Sequence, residues 1–464
     1  MKSKLQGVGG ALRGMLCVAA ALAALLALPE PAAAQGARQM VPGALTTRRL
    51  ERLLEAYVRP TADEASAIDR LHEQYLERFR AELEPEISSL SSSMSSGMPT
   101  REQFDRFMRD LERVSTRVAE ADGAFVDACA GVLAEDRRGG LQRIRESRER
   151  QRVLSGFGAI GGMMFGVSIG FVDAADMLAR PEFLRAVPAD ARERLDAVLR
   201  AQEPRVLTQA RSYAKELSDG MGGFFDAMSR SFGANGAPDP AAQQAFREGI
   251  AATGARLRRL LRQNFERNRE MAGQLAGILP ERELLEFRER VALRTFGPMA
   301  AAFSYGAESD VGAVGSRIAR DRSAPPALKA EIDAIVQSWK REWTAALEKS
   351  LASLAADDTA ASPFDAMGGG TPATRAVEEL ASTRARLARS AFERMSAALG
   401  DRASDYITRI DGQSPDGRTA ETTYQAAVKP KAEPDADEAE FDAATVRSGA
   451  LAVGATVDAL LARE

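Results

Sequence analysis

From Phe125 to Arg148 the chain reads as an apolar helix end, a tight polar turn at Ala134-Glu135-Asp136 and a charged helix leading away, and this skeleton returns twice. Laying Leu133 over Leu279 and Leu399 puts Ala134, Pro280 and Gly400 next, then an acid each time: Glu135, Glu281 and Asp401. Eight residues past the leucine every copy has a large apolar residue, Leu141, Phe287 and Ile407. A second landmark keeps the same register. Shortly after the prolines that open each unit (Pro60, Pro188, Pro325), an apolar residue is followed by aspartate: Ile68-Asp69, Leu195-Asp196 and Ile332-Asp333. Proline-to-leucine spacings are 73, 91 and 74 residues, by subtraction of 60 from 133, 188 from 279 and 325 from 399. Three divergent copies of one long helical hairpin, each turning a corner at its leucine, satisfy both landmarks.

Helical periodicity carries the rest. Ile68, Leu71, Tyr75, Phe79 and Leu83 recur at three-to-four-residue spacing, as do Phe246, Ile250, Leu257, Leu261 and Phe265, or Ile332, Ile335, Trp339, Trp343 and Leu347. Such spacing marks one buried face of a helix. No run shows the alternation of a half-buried strand, so the expected fold is all-α. The expected organisation is a signal peptide over 1–34, hairpin units over 35–152, 188–294 and 325–410, Gly-containing apolar connectors over 153–187 and 295–324, and an acidic, mostly disordered tail over 411–464. Residues 35–47 read as a loose leader, Ser88 to Pro99 as the break inside the first hairpin, and Pro204 as a kink.

The N-terminus explains where such a chain would work. Lys2, Lys4 and Arg13 precede an uncharged apolar run from Met15 to Leu28, and Ala32-Ala33-Ala34 offers a small-residue cleavage site before Gln35. The mature chain is therefore expected in the periplasm or outside the cell. Cleavage removes Cys17 and leaves Cys129 alone, so no internal disulfide can form and buried apolar faces must hold the fold. Removing the leader's three bases and one acid takes the net charge from −4 to −6, and the tail alone carries −6 from eleven acids and five bases. The body is close to neutral, which argues against a nucleic-acid partner.

Reactive chemistry finds little support. Gly166-Val167-Ser168-Ile169-Gly170 matches a nucleophile elbow, but that motif needs a preceding strand and a histidine, and His72 is the only imidazole. Zinc sites lean on His and Cys that the chain lacks, so no enzyme activity, metal or cofactor is expected. The candidate interaction residues are Arg145, Arg148 and Arg152, in a basic run read as an exposed face with intrahelical pairing to Glu146 and Glu149 and with binding of a polyanion or anionic headgroups as the alternative, and Trp339 and Trp343, read as a core stripe with a surface anchor as the alternative. Residues 153–172 hold about 20 uncharged positions, enough for a span by the length criterion. Gly158, Gly162, Gly166 and Gly170 follow the small-xxx-small rule of packed membrane helices. A packed connector is the preferred reading because a span would put the first unit across the membrane from its copies; membrane association through this segment is the alternative.

Exported, disulfide-free hairpins with Leu133-Ala134-Glu135-Asp136-Arg137, Leu279-Pro280-Glu281-Arg282 and the opening Val187-Pro188-Ala189-Asp190 resemble the Spy/CpxP-like family of periplasmic helical proteins, whose turns read Leu-Thr-Pro-Glu-Gln. No copy here has the Thr or the Gln, and the metal-sensing histidines are missing. The resemblance implies a non-catalytic role in the cell envelope, chaperone-like or stress-related, with other proteins as partners.

Overall fold

A long amphipathic helix is stable in water only when its apolar stripe is covered, and most of that stability comes from packing rather than propensity. The computed structural model describes residues 41–93, 101–155, 170–231, 240–296, 311–356, 372–413 and 420–426, and in it the stripes cover one another in antiparallel pairs. Helix α1 (Thr47–Tyr57) starts at Thr46, whose side chain accepts the amide of Arg49. Helix α2 (Ala62–Glu82) starts at a capping box in which Thr61 and Glu64 satisfy each other's amides. Helix α3 (Glu84–Ser93) follows α2 almost directly, and α4 (Arg101–Val132) returns along both. Ile87 and Leu90 are buried, which is why the helix persists into the serine-rich stretch expected to break it.

The first corner is a 3-10 turn at Glu135–Arg137 leading into α5 (Gly139–Leu154). Short helices α6 (Ala174–Leu178) and α7 (Pro181–Ala186) precede α8 (Arg192–Ser231), which runs on through Pro204 and pairs with α9 (Pro240–Leu275). The second corner turns at Gly277, whose φ of 81° suits glycine, into α10 (Glu281–Thr295). Helix α11 (Val311–Arg320) then leads to the pair α12 (Pro326–Ala356) and α13 (Pro372–Leu399).

One packing rule joins these pairs. The helix after the first corner, α5, lies on the opening helix of the next pair, α8, and the helix after the second corner, α10, lies on α12 in the same way. Both contacts carry ion pairs, Arg143 with Glu203 at 2.8 Å in the first and Arg288 with Glu348 at 2.7 Å in the second. The landmark residues Leu133, Leu279 and Leu399, and Ile68, Leu195 and Ile332, are all buried. The far halves of α8 and α9 share one apolar core with α11, α12 and α13, whereas the first pair has a core of its own.

Three expectations are corrected. The third corner does not lead into a helix: Leu399 is followed by a 3-10 turn (Gly400–Asp405) and then by β1 (Ile407–Gln413), antiparallel to β2 (Ala420–Ala426). Ile407, Ile410, Thr422, Thr423 and Tyr424 are strand formers, so residues 411–413 and 420–426 of the expected disordered tail lie in paired strands. The leader is not loose where it is described. Val41 and Leu45 are fully buried in the first core because their apolar side chains complete it. Apart from that two-stranded hairpin the described fold is helical, so the class is all-α.

The signal peptide, the tail beyond 426, and residues 156–169 of the Gly-rich segment, with Ser168 of the elbow pattern, lie outside the described residues. Leu154 and Phe171, on either side of that segment, both rest against the same apolar core, and the Gly170 amide donates to the Thr295 carbonyl at 2.6 Å. Among the described residues no helix is long and apolar enough to cross a membrane.

Candidate functional site

Among the described residues a dense, buried polar cluster is built on α5. Two inward faces of this helix carry arginine beside Leu141 and Ile144, so three guanidinium groups leave water on folding. A buried charge of this kind is tolerated only with a partner. Arg148 donates to Asp122 on α4 from Nε at 2.9 Å, and to the Gly43 carbonyl at 3.0 Å. The Tyr75 hydroxyl donates to the same Asp122 at 2.7 Å and accepts the Leu45 amide, so one carboxylate fixes α2, α4, α5 and the N-terminal strap together. Arg143 spans to α8 with two bonds to Glu203, a further bond to Asp196, and its guanidinium 4.3 Å from the ring centre of Tyr57. Arg150, 0% exposed, donates from Nε to Asp173 at 2.6 Å.

Asp173 caps α6 by accepting the Asp176 amide, and Asp176 in turn receives Arg49 at 3.1 Å and the Ser147 hydroxyl at 3.1 Å. Arg52 stands 3.7 Å away. The junction thus sets Arg49, Arg52, Arg143, Arg148 and Arg150 against Asp122, Asp173, Asp176, Asp196 and Glu203, a balanced set of five and five. Nη1 and Nη2 of Arg150 find no hydrogen-bond partner among the described residues, so this guanidinium is held mainly by charge.

Electrostatics follow from burial and pairing. Burial by itself favours neutral Asp176, but Arg49, Arg52 and Arg150 outweigh it and hold the carboxyl well below the usual range. At the first corner, amides of Ala134 and Thr61 pull Glu64 down to about 2. A carboxyl whose folded pKa is depressed contributes stability that is complete above its unfolded value, ~3.9 for Asp, and is lost as pH falls toward the folded value. Acid unfolding of the mature chain should therefore steepen below roughly pH 4, and Asp176→Asn should flatten that slope by about 1.4 kcal/mol per pH unit. Circular dichroism melts across that range would show it; an unchanged slope would mean Asp176 is already solvated.

Burial also governs the described cysteine and the histidine. Burial pushes the Cys129 thiol up to about 12, so it stays protonated at neutral pH. His72 is buried, its Nε2 lies 2.6 Å from the Leu45 carbonyl oxygen, and its ring stacks on Tyr75. Among the described residues no three His, Cys, Asp or Glu side chains group to hold a metal ion.

The residues singled out from sequence do not form one surface. Arg148 is buried in the junction, whereas Arg145, beside Asp127, and Arg152 are half-buried. The basic run is thus not a solvated face with intrahelical pairs. Glu149 reaches Arg211 on α8 and Glu146 takes Gln142, because the arginines turn inward toward carboxylates on other helices. Trp339 and Trp343 are buried on the apolar face of α12, with the Arg384 guanidinium 5.4 Å from the Trp343 ring, so neither is a surface anchor. Sequence reading missed Asp122, although it left a signal: Asp122 falls four residues after Val118 and three before Phe125, on the apolar stripe of α4, where an acid needs a buried partner.

Set against protein-family models, curated proteins and solved structures, the chain matches none.

Proposed function

We propose that this is an exported, non-catalytic helical scaffold of the cell envelope that binds other proteins. The observation that carries the reading is the recurring junction, in which the helix after one corner seats the opening helix of the next pair. A chain that commits its buried ionic groups to fastening hairpins in series offers extended surface rather than a reactive centre. On this reading the three hairpins are divergent copies of one unit. The leader over 1–34 and the resemblance to Spy/CpxP-like proteins support the envelope location and a chaperone-like or stress-related role.

The manner of binding follows from what is exposed. Val132, at 37%, is the exposed large hydrophobic residue among those described, so the apolar stripes are already occupied by one another. Contact through polar and charged helix faces therefore fits better than capture of unfolded apolar segments. Purified mature chain should cross-link in its native envelope to a discrete folded partner, and salt should weaken the complex. Loss of the reading would come from a chain that retains no partner and turns over a substrate.

The alternative, an envelope structural protein anchored through 153–172, draws on the uncharged glycine-periodic sequence. Against a single traverse, Leu154 and Phe171 return to one core. A salt wash should release the mature protein from membranes. Retention until detergent is added, abolished by deleting 156–169, would favour the anchor.

A further inference from the structure

The contact of α10 with α12 is fastened differently from that of α5 with α8. Glu289 falls four residues after Leu285 and three before Ala292, both buried, so α10 carries its carboxyl into the contact, where the side chain is 13% exposed. It meets Lys340 of α12 at 3.3 Å, and the same ammonium also holds Glu286, one turn back on α10. Glu286 accepts the Arg290 Nε at 2.8 Å as well, and Arg290 reaches on to Glu182 of α7. Two carboxylates on one helix face thus share one ammonium, a point charge without the planar fork by which Arg143 grips Glu203 in the first contact.

Such a site favours a neutral carboxyl, because removal from water and a like charge nearby both disfavour the ionised form. Burial pushes Glu289 up to about 7, against the pull of Arg384 on α13, Trp343 on α12 and Arg290 on its own helix. Burial also brings Lys340 down to about 8, helped by Arg282 and opposed by Glu283. The first junction is the reverse case. There Arg49, Arg52 and Arg150 overcome burial and keep Asp176 well below its ordinary range.

We propose that the contact of α10 with α12 is a proton-operated joint, tightened when Glu289 takes up a proton and slackened when it gives one up. Neutral Glu289 leaves Lys340 to Glu286 alone, whereas ionised Glu289 places a second carboxylate on the same ammonium inside the contact. A carboxyl whose folded value is raised contributes stability that is complete below its ordinary value, here 4.5, and is lost as pH rises through the folded value near 7. Because α10 packs on both α9 and α12, one proton sets how firmly the second pair is seated on the third. Such a joint works whether or not the chain binds other proteins.

The chain carries its own reporters, since its two tryptophans, Trp339 and Trp343, are both buried on α12. Its one histidine, His72, lies against Tyr75 and Phe125 in the separate core of the first pair, so it does not titrate beside them. The test is a pH titration of tryptophan fluorescence in the mature chain and in its Glu289→Gln and Glu286→Gln variants. The parent should show one transition with its midpoint near 7, and Glu289→Gln, which mimics the neutral form, should abolish it. Glu286→Gln should move the midpoint down by about one unit, because Lys340 then serves Glu289 alone. In denaturant melts the folded-to-unfolded ratio of the parent should fall on the order of tenfold further than that of Glu289→Gln between about pH 5.5 and about pH 7.5. A flat parent trace, a transition that survives Glu289→Gln, a midpoint unmoved by Glu286→Gln, or equal loss of stability in parent and Glu289→Gln would overturn the joint.

Discussion

Replacing Asp122 with alanine should destabilise the chain by about 4 kcal/mol, because it strands a guanidinium that folding has taken out of water. Arg148 is 2% exposed and keeps only the Gly43 carbonyl and Gln151 once the carboxylate is gone. The Tyr75 hydroxyl loses its acceptor in the same step. A solvated ion pair would cost about 1 kcal/mol or less, so the two descriptions of α5 differ by several-fold in a denaturant melt. A drop of about 4 kcal/mol is a large share of the 5–15 kcal/mol that typically holds a domain, and the first pair should unfold early. The double variant Asp122→Ala with Arg148→Met should recover most of the loss, since an apolar replacement of both partners removes the unpaired charge.

Gly140→Ala should also destabilise, by about 3 kcal/mol, although helix propensity alone predicts a gain of about 1 kcal/mol. Position 140 lies in the first turn of α5, where the end of α1 comes closest. A Cβ there would stand 2.1 Å from the Tyr57 carbonyl oxygen and 2.7 Å from its carbon. Those atoms are backbone and cannot swing aside, so α5 must lift from α1 and loosen the stacking of Arg143 on Tyr57. The sign of the change decides the matter in one melting curve: a more stable alanine variant would mean the two helices are not in contact.

The helical class and the buried faces of the helices were legible in the sequence, for a physical reason. Apolar spacing reports which face of a helix is covered, and the residues picked on that basis, such as Ile68, Leu257, Leu261 and Trp343, are buried. What covers a face is set by tertiary contact, and spacing is silent on it. Arg143 and Glu203 are 60 residues apart, and nothing local distinguishes an arginine that crosses to α8 from one that pairs along its own helix. Asp122 was readable in principle as an acid on an apolar stripe. The strands Ile407–Gln413 and Ala420–Ala426 were missed because acidic and threonine-rich composition was weighed over the run of Ile, Thr and Tyr, and pairing between two strands can override composition.

Hydrogen exchange across α5 in the mature chain tests the central claim most directly, namely that this arginine-rich helix is a buried strut between successive hairpins. Amides from Leu141 to Arg150 should exchange as slowly as those of the facing part of α8 around Leu199 to Val206, and Asp122→Ala should release the α5 amides first. Fast exchange throughout α5 in the parent protein, with α8 still protected, would show a solvated helix and contradict the account.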